Sequence, residues 1–197
     1  MSEFWIWFET GLQHIADYNG YDHMLFLLVL CAPFTWAQKT KLFWLVSFFT
    51  IGHSISLGLA VLGWFKPHVA LIEFLIPLSI FLTAIYNLIA PINKQEMSMP
   101  GKYAITLFFG IIHGLGFSFL LSSLLGPGKG IIFPLFSFNL GLEIGQLLIV
   151  AALILIAQLW QMLLPKKENI RVQLFSIMGA VFSFWLMYTR FLNLYNS

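Results

Sequence analysis

Charge is what this 197-residue chain most lacks: Asp, Glu, Lys and Arg together make up 9% of it, against roughly a quarter in soluble domains. Hydrophobic residues reach 59%, with 21 Phe and 7 Trp, and the mean hydropathy is +0.87. That is more apolar side chain than a core of this size can hide, so much of it must face lipid. An ordinary soluble domain is excluded. A formal net charge of +2, carried by scattered basic residues, leaves no footprint for nucleic acid. The single cysteine, Cys31, excludes an internal disulfide and disfavours a thiolate metal site. Also missing are a phosphate-cradling glycine loop followed by Lys-Ser or Lys-Thr, a nucleophile elbow and the paired histidines of a zinc protease. Nothing therefore supports an ATP-driven pump or a soluble-type enzyme. Met1-Ser2-Glu3 has neither a basic start nor a small-residue cleavage pattern, so no removable signal peptide is expected.

What is there is a series of long apolar runs. They fall near 21–37, 42–64, 68–91, 103–126, 132–163 and 172–193, each comparable with the roughly 20 residues that cross a bilayer. The expected fold class is all-α: a polytopic membrane helical bundle of about six transmembrane helices within residues 21–197. Residues 1–20 mix Trp5, Trp7 and Phe8 with Glu3, Glu9, His14 and Asp17, which predicts an interfacial or partly inserted helix. The connecting loops orient the array. One side holds Lys39, Lys41, Lys94, Lys102, Lys166, Lys167 and Arg171, the other only Lys66, Lys129 and Arg190. Because short cytoplasmic loops are enriched in Lys and Arg, both termini are expected on the non-cytoplasmic side.

One internal similarity stands out. Phe48-Phe49-Thr50-Ile51-Gly52-His53 matches Phe108-Phe109-Gly110-Ile111-Ile112-His113 as Phe-Phe-x-Ile-x-His, and a glutamate follows in each next span, Glu73 and Glu143. This suggests a parallel repeat of the second and third spans on the fourth and fifth.

Few polar groups remain inside the runs. Asp22, His23, His53, Glu73, His113 and Glu143 are ionisable, while Asn87, Asn139 and Gln146 are amides. Such groups are costly in hydrocarbon, about 2.5–3.5 kcal/mol for a central charge, so they should face one another or a cavity. At about 1.5 Å of rise per residue, His53 and His113 come near mid-membrane, and Asp22, His23, Glu73 and Glu143 lie in the outer half. Asn139, Glu143 and Gln146 share one helix face. Imidazole and carboxylate together suit nickel, cobalt, zinc or iron. The first ligands expected are Asp22, His23, His53, Glu73, His113 and Glu143, in one centre or two, with His14, Asn87, Asn139 and Gln146 around them or along an entrance. Two other readings stay open: handling of protons or other ions, and buried pairs that only fix helix packing.

The order of motifs resembles the HupE/UreJ family of small bacterial membrane proteins. The resemblance rests on His14, Gly20-Tyr21-Asp22-His23, Phe49-Thr50-Ile51-Gly52-His53-Ser54, Glu73 to Asn87, His113-Gly114-Leu115-Gly116-Phe117 and Phe138-Asn139-Leu140-Gly141-Leu142-Glu143-Ile144-Gly145-Gln146. It implies a bacterial inner-membrane permease for divalent metal ions, nickel or cobalt in particular. Nickel coordination would then fall on Asp22, His23, His53, His113 and Glu143, with Glu73 next. The start of the chain departs from the family, being aromatic and acidic rather than signal-like or histidine-bearing. The competing expectations are a membrane-embedded metal-dependent enzyme, such as a hydrolase, and a metal-binding accessory membrane protein. The partners expected are the metal ion and membrane lipid, with homo-oligomers left open and no nucleic acid.

Overall fold

The computed structural model describes residues 2–17, 20–66, 68–90, 98–125, 130–165 and 167–195. Three loop lysines used for orientation, Lys94, Lys129 and Lys166, lie outside them. Among the described residues the chain is a membrane helical bundle without strands. Its helices are α1 (Glu3–Ala16), α2 (Asp22–Cys31), α3 (Lys39–Val61), α4 (Val69–Ile89), α5 (Met99–Leu125), α6 (Ile132–Leu163) and α7 (Glu168–Tyr195). Helices α3 to α7 are each long and apolar enough to cross a bilayer.

The span expected over 21–37 holds only a ten-residue α-helix, α2. Helix α2 stops at Cys31, two residues before Pro33, which has no N–H to continue the helical ladder. The end is capped from afar: the buried Arg171 of α7 donates to the carbonyls of Ala32 at 2.9 Å and Phe34 at 3.4 Å, the favourable sign for a helix C-terminus. Helix α1 lies along α6 in the same direction, with Phe4 beside Phe133, Gly11 against Phe138 and Ile15 against Gly145. Helix α2 continues that path, its Leu25 and Leu28 sharing a groove with Ile149 and Leu153. From Phe133 to Leu153 is about 30 Å of helix, close to the thickness of the hydrocarbon core. The two short helices together cover that length.

Glycine sets the closest approaches. A Cβ on Gly52 would fall on the Leu107 carbonyl oxygen, and one on Gly110 would fall on that of Phe49. Gly114 meets the main chain of His53 and the Ser56 hydroxyl. Helices α3 and α5 therefore run parallel in near backbone contact, as small residues permit. Gly52 and Gly110 both lie within the Phe-Phe-x-Ile-x-His segments, at different places in them. Gly11 and Gly141 do the same for α1 and α6, facing the carbonyls of Phe138 and Phe8. Helices α4 and α7 pair antiparallel on the outside, with Phe74 by Phe191 and Phe81 by Phe184.

Replacing Gly110 by Ala should push α3 and α5 apart and cost about 1–3 kcal/mol, the usual range for overpacking. Gly58→Ala serves as the control, since its added methyl would reach only Leu135 Cδ1 at 3.9 Å. Thermal unfolding in detergent should show a clear loss for the first and little change for the second. Equal melting temperatures would remove the close contact from the account.

Candidate metal centre

Three helices deliver the centre. His14 stands in the last turn of α1, His23 in the first turn of α2, and His53 in α3. One ligand nitrogen from each lies within 4.8 Å of the other two. The ring centroids are 4.8 Å apart for His14 and His23, and 6.0 Å apart from each of these to His53. His113 of α5 adjoins the group, its ring 5.0 Å from that of His23.

The histidines are enclosed and short of partners. His53 is fully buried, and His23 and His113 nearly so. Nε2 of His14, Nε2 of His23, both nitrogens of His53 and Nδ1 of His113 are buried with no hydrogen-bond partner. Leaving such atoms unpaired costs about 1–3 kcal/mol each, a cost that a shared ligand would offset. His23 makes a hydrogen bond to the backbone of Gly20, a bond of the kind that orients a ligating ring. Ser79 of α4 lies 3.2 Å from His113 Nε2. Asn139 of α6 stands beside His53; its Nδ2 donates to the Leu135 carbonyl at 2.8 Å, and its Oδ1 is buried without a partner. Ser79 and Asn139 hold corresponding places in the repeat that pairs His113 with His53.

Aromatic rings close the pocket on two sides. Phe117 and Phe138 stack at 5.1 Å, and the His14 ring lies 3.9 Å from Phe117. Phe26 and Phe49 stack at 4.9 Å, with the His113 ring 5.3 Å and 5.1 Å from them. Beyond Phe26 a cavity of about 270 Å³ opens between α4 and α5. Near the start of α1 a second cavity is lined by Glu3, Trp7, Leu125 and Phe133. None of the four clustered histidines lines either cavity.

The carboxylates are placed differently from the histidines. Asp22 neighbours His23 in the chain, but its Oδ2 accepts from Arg190 of α7 at 2.7 Å, leaving Oδ1 buried and unpaired. Arg190 also donates to the Glu73 main-chain oxygen at 2.9 Å, while the Glu73 side chain is exposed. Glu143 accepts from Ser47 at 2.8 Å across the α3–α6 seam, where Thr50 and Gln146 also pair at 2.8 Å. Asn87 donates to the Val29 carbonyl at 2.8 Å and so fixes α4 to α2. The structure thus brings together His14, His23, His53 and His113, and leaves Glu73, Glu143, Asn87 and Gln146 in other contacts. His14 had been expected only around the ligands. Arg190 was read as a loop charge; its position inside the last apolar run was the signal that it has a buried partner.

Nitrogen donors of this kind suit nickel, cobalt, zinc or copper better than calcium or magnesium. Residues 1–190 match the family model described as HupE / UreJ protein. No curated protein and no solved structure matches the chain.

Ligation needs unprotonated imidazole, so a metal here competes with protons and binding falls as pH falls. Calorimetric titration of the purified protein with nickel should show saturable binding, and His53→Ala should weaken it by at least about tenfold. An unchanged affinity in His53→Ala would argue against histidine ligands.

Proposed function

The chain belongs to the HupE/UreJ family, and from that premise we propose that it is a permease for a divalent transition-metal ion, nickel or cobalt. The observation that carries the reading is the convergence of His14, His23 and His53 at the break between α1 and α2. Discontinuous helices that meet a binding site near the middle of the bundle are a recurring device of secondary transporters.

The path follows the enclosure. An ion enters by the cavity at Glu3 and Trp7, passes the Phe117–Phe138 pair, and exchanges water for imidazole at the histidines. It leaves past Phe26 and Phe49 into the cavity between α4 and α5, which Lys102 and Asn87 line. Lys102 lies on the side expected to be cytoplasmic, so this direction is uptake. Ser79 and Asn139 orient His113 and His53 along the way.

The competing reading is a membrane-embedded metal enzyme, favoured by one feature: three histidines leave an open coordination position, as catalytic zinc sites do. Against it, the clustered histidines face stacked phenyl rings, whereas a hydrolase needs room for substrate beside its metal. The accessory-protein reading has no separate observation in its favour.

Nickel uptake into proteoliposomes distinguishes them. His53→Ala and His113→Ala, at equal protein content, should each reduce the initial rate by at least about tenfold, the scale of losing one well-placed ligand or its support. Unchanged uptake in both would overturn the permease reading.

A further inference from the structure

The α3–α6 seam holds a second set of donors, chemically unlike the first. Ser47 and Thr50 lie one turn apart on α3, and Glu143 and Gln146 one turn apart on α6. Ser47 Oγ donates to Glu143 Oε1, and Thr50 Oγ1 pairs with the Gln146 amide oxygen, both at 2.8 Å. We propose that Glu143, Ser47, Thr50 and Gln146 form an oxygen-only site for a hard monovalent cation, sodium, separate from the histidine pocket.

Charge is the first ground. Glu143 lies near the middle of α6 and is only partly exposed, and a carboxylate at that depth calls for a counter-charge. The surrounding helices do not bring one. Helices α1 and α2 contain no Lys or Arg, and the lysines of α3 are confined to its first turn. Lys102 of α5 lines the cavity on the α4 side. Arg171 is engaged with the carbonyls after α2, and Arg190 with Asp22. A single carboxylate balances a monovalent cation; a divalent one would leave a net positive charge in hydrocarbon.

The Gln146 amide is the second ground. This side chain is fully buried, and its Nε2 has no partner. Thr50 has one hydroxyl hydrogen but faces two acceptors, the Val46 carbonyl at 3.3 Å and Gln146. If the amide is turned over, Thr50 donates to Val46 and accepts from Gln146 Nε2, and the amide oxygen becomes the bare atom. Carboxylate, hydroxyl and amide oxygens are the donors hard cations take.

The repeat isolates the feature. In the ungapped register that sets His113 on His53, which leaves Glu73 and Glu143 unaligned, the places of Glu143 and Gln146 are taken on α4 by Thr83 and Tyr86, which line the largely apolar cavity between α4 and α5. Only one of the two matching seams carries the carboxylate. The site does not depend on the permease reading, although its use as a coupling site does.

Thermal unfolding of the purified full chain tests it, with sodium replaced by potassium or N-methyl-D-glucamine at constant ionic strength. Sodium should raise the midpoint by at least about 3 °C, and Glu143→Gln and Ser47→Ala should each abolish the rise. His53→Ala should keep it, while Ser47→Ala should keep the stabilisation by nickel. No sodium response in the folded wild type, or a response that survives in Ser47→Ala, overturns the proposal even if Glu143→Gln fails to fold. Absence of nickel uptake by the wild type in proteoliposomes, with the sodium response intact, would instead overturn the permease reading alone.

Discussion

How near two helix backbones can come governs this molecule. With a Cβ at Gly52 or Gly110, α3 and α5 could not hold the contact they make through the carbonyls of Leu107 and Phe49. His53 and His113 sit one turn beyond those contacts, on helices held at the same level. Gly11 and Gly141 set α1 on α6 in the same way, and that contact carries His14 to the end of its helix at the level of His53. In hydrocarbon no hydrophobic force draws helices together, so close packing has to supply the attraction. The histidine pocket is a consequence of where small residues allow it.

The second constraint is that polar groups away from water need partners. Most here find them locally. Thr10, Ser54, Thr83, Thr106 and Ser122 donate to carbonyls one turn back on their own helices, which removes a hydroxyl from lipid at little conformational cost. Arg171 and Asn87 reach the main chain of other elements. Against that background the unpartnered nitrogens of His14, His23, His53 and His113 are concentrated at one place and enclosed by phenyl rings.

The sequence made depth legible but not direction. The runs of apolar residues located α3 to α7, because bilayer thickness fixes their length. Mid-span position singled out His53 and His113, whereas the Phe-Phe-x-Ile-x-His match was read as a repeat and said nothing of the parallel contact of α3 with α5. Rotation about the helix axis is a different matter. Glu73 and Asp22 both occur at the depth of a site, yet the placement of Arg190 binds one through its side chain and the other through its main chain. Nothing in spacing alone says that residue 190 returns to residue 22, since α7 packs on α4 through apolar side chains shared by many lipid-facing positions. The packing of α1 along α6 was hidden for a related reason: Glu3, Glu9 and His14 predict an interfacial or partly inserted helix, and composition does not match its Gly11 to Gly141.

Charge balance bears on whether a metal would stay or pass. Four neutral imidazoles contribute no negative charge, and the nearest carboxylate, Asp22, is already neutralised by Arg190 at 2.7 Å. A divalent ion among the histidines would therefore hold two uncompensated charges in a low-dielectric enclosure, a costly state for long residence. Retained metal in a buried centre is ordinarily balanced by carboxylate or thiolate. Here the balancing group is present but occupied, with Oδ1 of Asp22 facing no partner and Arg190 also bonded to the Glu73 main chain. An ion that drew Asp22 to itself would have to displace an arginine held on α7, so binding and helix movement become the same event. Under the permease reading, that coupling is what would let the ion exchange as the outer helices shift.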